Sequence, residues 1–185
     1  GRLGQEKAIS GQTVKDYCLA HNISCDIEWQ EHNRIYGKEW YAFIASAKAM
    51  LGSESGSNVF DWDGDLQEII DKYKKTFPYL LKFLGFWWRA KSDSVNSIVN
   101  SKESDIYHKI IEKREVDGLM NQLSPRIFEM AAAKTVMVLF EGSYSGVLKP
   151  GIHFLPLKKD FSNLHEIIAE LKDDKKVDAM ADRAY

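Results

Sequence analysis

The chain has 185 residues, 44% of them hydrophobic and 28% charged, with a formal net charge of −2. That balance fits a single folded domain with its own core and rules out a broad electrostatic grip on nucleic acid. No apolar run approaches the length that spans a bilayer and no signal peptide is visible, and Cys18 and Cys25 form no CxxC pair, as expected of two reduced thiols in a cytoplasmic protein.

In chain order, Gly1-Arg2-Leu3-Gly4-Gln5-Glu6-Lys7 reads as a loop that leads into a helix running to about Ala20, with Ile9, Val14, Tyr17 and Cys18 at roughly helical spacing. Residues 23–29 alternate as a strand does, and residues 40–49 read as a helix with Trp40, Phe43, Ile44 and Ala47 on one face. Met50-Leu51-Gly52 is a short strand that opens into Ser53-Glu54-Ser55-Gly56-Ser57-Asn58. The alternation of strands and helices predicts an α/β fold with a parallel, Rossmann-like sheet. The Ser/Gly loop falls at a strand end, where Ser55, Gly56 and the backbone amides can meet a phosphate or a sugar.

Asp61-Trp62-Asp63 is a DxD, two carboxylates that can share a divalent ion with a diphosphate. The EF-hand pattern does not fit, because Gly64 comes too early and position 72 is Lys. The βα rhythm then lapses, and residues 65–118 read as a mostly helical insertion, with helices over 66–77 and 104–116. Between them lie an aromatic, basic segment at 78–90 and a polar loop at 91–104. Phe86-Trp87-Trp88 in that segment is either packing or a patch for an acceptor, a peripheral membrane contact or a further domain.

The stretch 122–157 reads as helix, buried strand, glycine-containing loop and second strand. Ser124 suits the N-cap and Pro125 the first helical position. Arg126 and Glu129 are the polar exceptions on an otherwise apolar helix and share one face. A cation in the first turn gains nothing from the helix dipole, so an edge facing a polar ligand explains the pair better than local stability does. Residues 135–140 are apolar without alternation, as in a strand covered on both faces. They end in Glu141-Gly142-Ser143-Tyr144-Ser145-Gly146, and ligands of open parallel sheets sit beyond such carboxyl ends. His153 and His165 have no zinc-ligand spacing. Residues 164–171 and the final segment read as helices.

The segment SPRIFEMAAAKTVMVLFEGSYSGVLKPG resembles the donor-side motif of the GT-B glycosyltransferases, in their group-1 (GT4-like) and spore-coat CgeB-like branch, and ESGSNVFDWDG resembles that branch as well. The resemblance implies the C-terminal, nucleotide-sugar-binding half of a GT-B fold over residues 1–185, transferring a sugar from a nucleoside-diphosphate-sugar donor to an unknown acceptor. Glu129 would hold the ribose, with Arg126 near the phosphates. GRLxxEK resembles the loop in which Arg2 and Lys7 neutralise the diphosphate. Ser55, Gly56, Ser124, Gly142, Ser143, Tyr144 and Ser145 would complete the donor site. The group-1 pattern pairs two glutamates, and the earlier position here is Asn121, so Glu54 is the carboxylate that would stand in for it in a catalytic role beside Glu129. Lys134 occupies the usual glycine position after the alanines. No cofactor or metal is expected, because such sites neutralise the diphosphate with cations and helix amides. The start at Gly1 and the stop at Tyr185 within a helical pattern suggest a fragment whose partner is an N-terminal lobe. A non-catalytic sugar-nucleotide or assembly module, and a metal-dependent GT-A-type enzyme using Asp61 and Asp63, are the competing readings.

Overall fold

Residues 135–140 carry no charge and no turn former, and such a run favours a strand that water does not reach. The computed structural model, which describes residues 2–83 and 106–185, places β2 (Val136–Phe140) there, buried at all 5 positions. β2 is the middle strand of a small open parallel sheet. It pairs with β1 (Ala49–Gly52) from Ala49 opposite Val136 to Gly52 opposite Leu139, and with β3 (Leu155–Leu157) from Val138 opposite Leu155 to Phe140 opposite Leu157. The chain is therefore α/β.

Because side chains alternate along a strand, β2 supplies both faces of the sheet with core residues. Val136, Val138 and Phe140 join Leu155 and Leu157 in one cluster. Helices α1 (Arg2–Ala20), α5 (Leu164–Glu170) and α6 (Asp174–Ala184) cover it through Val14, Cys18, Leu164, Ile167, Val177 and Met180. Met137 and Leu139 face the opposite cluster, built with Ile44 of α2 (Gly37–Ser46) and Ile127 and Met130 of α4 (Pro125–Ala132). Thr135 is buried as well, and its hydroxyl donates to the Ile44 carbonyl at 2.8 Å, tying α2 to the start of the strand.

Two compact units divide the chain: Leu3–Gly56 with Met120–Tyr185, which holds the sheet, and Ser57–Leu119 with the first two residues. The second unit contains α3 (Leu66–Phe83) and the stretch read from the sequence as an insertion. Asp61 accepts the Leu66 N–H at the start of α3, and Arg114 pairs with Asp65 at 2.7 Å. Phe86-Trp87-Trp88 and the polar loop 91–104 lie outside the described residues. No helix among the described residues is long and apolar enough to cross a membrane.

The structure departs from the sequence reading most in three places, and α2 also ends at Ser46 instead of residue 49, with Ala49 opening β1. The opening segment is helical from Arg2 instead of forming a loop, since burial of Leu3 anchors the first turn and Gly4 is tolerated in open space. Residues 23–29 form no strand. Ile23, Cys25 and Ile27 pack against the core from an irregular backbone, so their alternation marks a half-buried segment that found no ladder partner. Over 106–116 a π-helical turn at Tyr107–Ile111 and a 3-10 turn at Glu112–Arg114 replace a regular α-helix. There the Tyr107 hydroxyl donates to Glu115 at 2.7 Å, and burial, then that carboxylate, push it up to about 12.

Leu139 is fully buried and Phe128 of α4 is 57% exposed. Leu139→Ala should cost about 2–5 kcal/mol and lower the urea midpoint without changing the slope, whereas Phe128→Ala should stay within about 0.5 kcal/mol. Equal midpoints for the two variants in urea titrations would contradict the placement of β2 at the centre of the core.

Candidate functional site

In parallel strands the carboxyl ends share one edge of the sheet, so the loops after β1 and β2 must meet there. Glu54, the second residue beyond β1, is buried. Its Oε1 accepts the Tyr144 N–H at 2.8 Å and the Ser143 hydroxyl at 3.1 Å, and its Oε2 accepts the Asn121 amide at 2.6 Å. A buried carboxylate needs such donors to replace its lost water. Proximity to this carboxylate also explains Gly142, where a Cβ would come within 2.7 Å of Glu54 Oε2.

Two further contacts hold the same corner together. Ser55 and Gln122 exchange backbone hydrogen bonds at 2.8 Å in both directions, fixing the approach to α4 beside the β1 loop. Gly56 follows with φ of 104°, a left-handed-side conformation, and a Cβ there would lie 1.9 Å from the Met120 carbonyl. Only glycine fits both demands.

Tyr144 is fully buried, its hydroxyl donating to the Phe140 carbonyl at 2.7 Å and its ring edge-on to Phe154. Burial first, then the charges of Glu54 and Glu6, raise its ionisation well above the ordinary phenol range. Its backbone and that of Ser145 adopt positive φ, 44° and 52°, which turns the loop back toward Glu54. Gly142, Ser143 and Ser145 remain exposed at this edge.

The cations come from two helices. Lys7 of α1 donates to the Ser55 hydroxyl at 3.3 Å. Loss of water around its ammonium, and second the positive charge of Arg126, hold Lys7 below the ordinary lysine range. Arg126 stands in the first turn of α4, where the dipole adds to the positive potential. Its guanidinium lies over the Trp40 ring, 5.1 Å from the centroid. Among the described residues neither Lys7 nor Arg126 has a carboxylate partner. Glu129, a turn further along α4, accepts the Trp40 indole N–H on Oε2 at 2.8 Å.

Lys7, Glu54, Ser55, Ser124, Arg126, Glu129, Ser143 and Tyr144 all lie within one unit, with Glu54 joined to Ser143 and Tyr144, Lys7 to Ser55, and Arg126 and Glu129 both to Trp40. Ser124 occupies the N-cap position of α4, but its side chain makes no cap bond. Arg2 belongs to the other unit, where it pairs with Asp117 at 2.7 Å and its backbone N–H donates to Glu115. Asp61 and Asp63 lie in that unit too, with Asp61 engaged by Leu66 and Arg114. No group of three or more His, Cys, Asp or Glu side chains suited to a metal ion occurs among the described residues. Sequence reasoning missed two members: Asn121, seen only as the place of a missing glutamate, and Trp40, seen only as a core-facing helix residue. Nothing local to either residue signals the contact it makes. No protein-family model matches this chain, and no curated protein matches it.

Asn121→Asp would set a second carboxylate against Glu54. It should destabilise the fold by about 1–3 kcal/mol at pH 7. One carboxyl of so close a pair binds its proton more tightly folded than unfolded, so the deficit should shrink as the pH falls toward 5. Urea titrations of the variant and the wild type at both pH values test this, and a deficit that grows on acidification would disprove the contact.

Proposed function

We propose that this chain is the donor-binding half of a GT-B glycosyltransferase, with a Rossmann-like sheet, and that it takes a nucleoside-diphosphate sugar at the carboxyl edge of β1 and β2. The observation that carries the reading is the approach of Lys7 and Arg126, two cations from different helices with no acidic partner among the described residues, beside Ser55 and the start of α4. Two like charges held together raise each other's energy, and a diphosphate is the group that relieves it. Transfer of the sugar leaves a diphosphate with added negative charge, so cations fixed in place stabilise the departing group more than the bound donor.

Glu129 suits the ribose, because Trp40 occupies only one of its two carboxylate oxygens. Glu54 is best given a supporting part, since its acceptor sites are directed at protein donors. The backbone and hydroxyls of Gly142, Ser143 and Ser145 line the same edge. Arg2 is left to its contact with Asp117. The acceptor-side lobe and the acceptor are partners that this reading requires. The engagement of Glu54 also favours, second, a sugar-nucleotide-binding module without catalysis of its own.

Calorimetry with UDP and GDP in the presence of EDTA tests the site. Binding should persist without a divalent ion, and Lys7→Ala and Arg126→Ala should each weaken it about tenfold or more while leaving the melting temperature nearly unchanged. Normal binding by both variants would sink the proposal, as would affinity that EDTA abolishes and manganese restores.

A further inference from the structure

Arg126 and Glu129 stand three residues apart on α4, close enough to form an ion pair with each other. They do not pair. Trp40, carried on α2, engages both instead. Its indole N–H donates to Glu129 Oε2 at 2.8 Å, and its ring lies under the Arg126 guanidinium at 5.1 Å. The ring itself is held from below, stacked on Phe43 at 6.0 Å and packed against the cluster around Ile44 and Ile127.

We infer that Trp40 is the positioning residue of this site, an inference that rests on the donor-binding reading above. It keeps the carboxylate from neutralising the cation and presents the two as separate recognition groups. Contact with the ring engages none of the guanidinium N–H donors in a hydrogen bond and leaves them for an anion. The single indole bond uses one carboxylate oxygen and leaves Oε1, with its lone pairs, for hydroxyls. The ligand class this suits carries an anionic group and a hydroxyl-bearing ring a few bonds apart, as a nucleoside diphosphate does. Phe at position 40 would preserve the ring and lose the N–H. Leu would lose both and let Arg126 fall back onto Glu129.

Two probes separate these effects by calorimetry: inorganic pyrophosphate, which needs only the cations, and whichever of UDP and GDP binds the wild type more tightly. Trp40→Phe should keep pyrophosphate affinity within about twofold and weaken the nucleotide about tenfold. Trp40→Leu should weaken both probes, and adding Glu129→Gln to it should restore pyrophosphate binding, since the competing carboxylate is gone. A purely packing role would give no such rescue, and pyrophosphate loss that follows the melting temperature without rescue overturns the inference. Unchanged pyrophosphate affinity in Trp40→Leu overturns it as well. If the wild type binds pyrophosphate but neither nucleotide, the donor reading fails while the rescue still decides the part played by Trp40. A wild type that binds none of the probes removes both.

Discussion

A carboxylate removed from water must be met by donors, and in this protein that requirement fixes the geometry of a whole corner. Glu54 draws Asn121 from the approach to α4, and Ser143 and Tyr144 from the loop after β2, onto one side chain that follows β1. Three segments distant in sequence are therefore held at one point. Gly142 has no room for a side chain because the carboxylate is there, and the positive φ of Tyr144 is the turn that aims its N–H inward. A site built on these loops inherits its geometry from this cluster.

The sheet decides what can gather around that corner. β2 is sandwiched between two apolar clusters, so α1 and α4 are held on opposite faces, and each is oriented by the side chains it buries. α1 buries Leu3, Ser10, Val14 and Cys18, and Lys7 stands on that same face of the helix, four residues after Leu3, where its ammonium reaches Ser55. α4 buries Ile127 and Met130, which leaves Arg126 and Glu129 on the remaining face. Two cations thus approach each other as a consequence of core packing on both sides of the sheet. The cost appears in the weakened hold of Lys7 on its proton.

Trp40 shows how a residue can belong to the core and to the site together. Its ring contributes to the cluster under α2 and α4, while its one polar atom reaches the Glu129 carboxylate. An aromatic side chain with a single donor is suited to this, being large enough to anchor and directional enough to orient. The helical spacing of Trp40 with Phe43, Ile44 and Ala47 shows only the anchoring half.

Elements whose signals are local were legible in the residues alone. Pro125 after Ser124 marks the start of α4, the unbroken apolar run at 135–140 marks a strand buried on both faces, and the Gly/Ser stretches mark the loops that follow β1 and β2. Arg126 and Glu129 share one helix face, as their spacing of three residues requires. The folded arrangement alone decided that residues 23–29, though alternating, join no ladder, because strand pairing depends on a neighbour far away in the chain. It likewise decided that Asn121 completes the shell of Glu54 and that Trp40 stands between Arg126 and Glu129, with 67 residues separating the first pair and 89 separating Trp40 from Glu129. A hydrogen bond has a reach of about 3 Å, and no local propensity records which distant donors a fold will bring inside it.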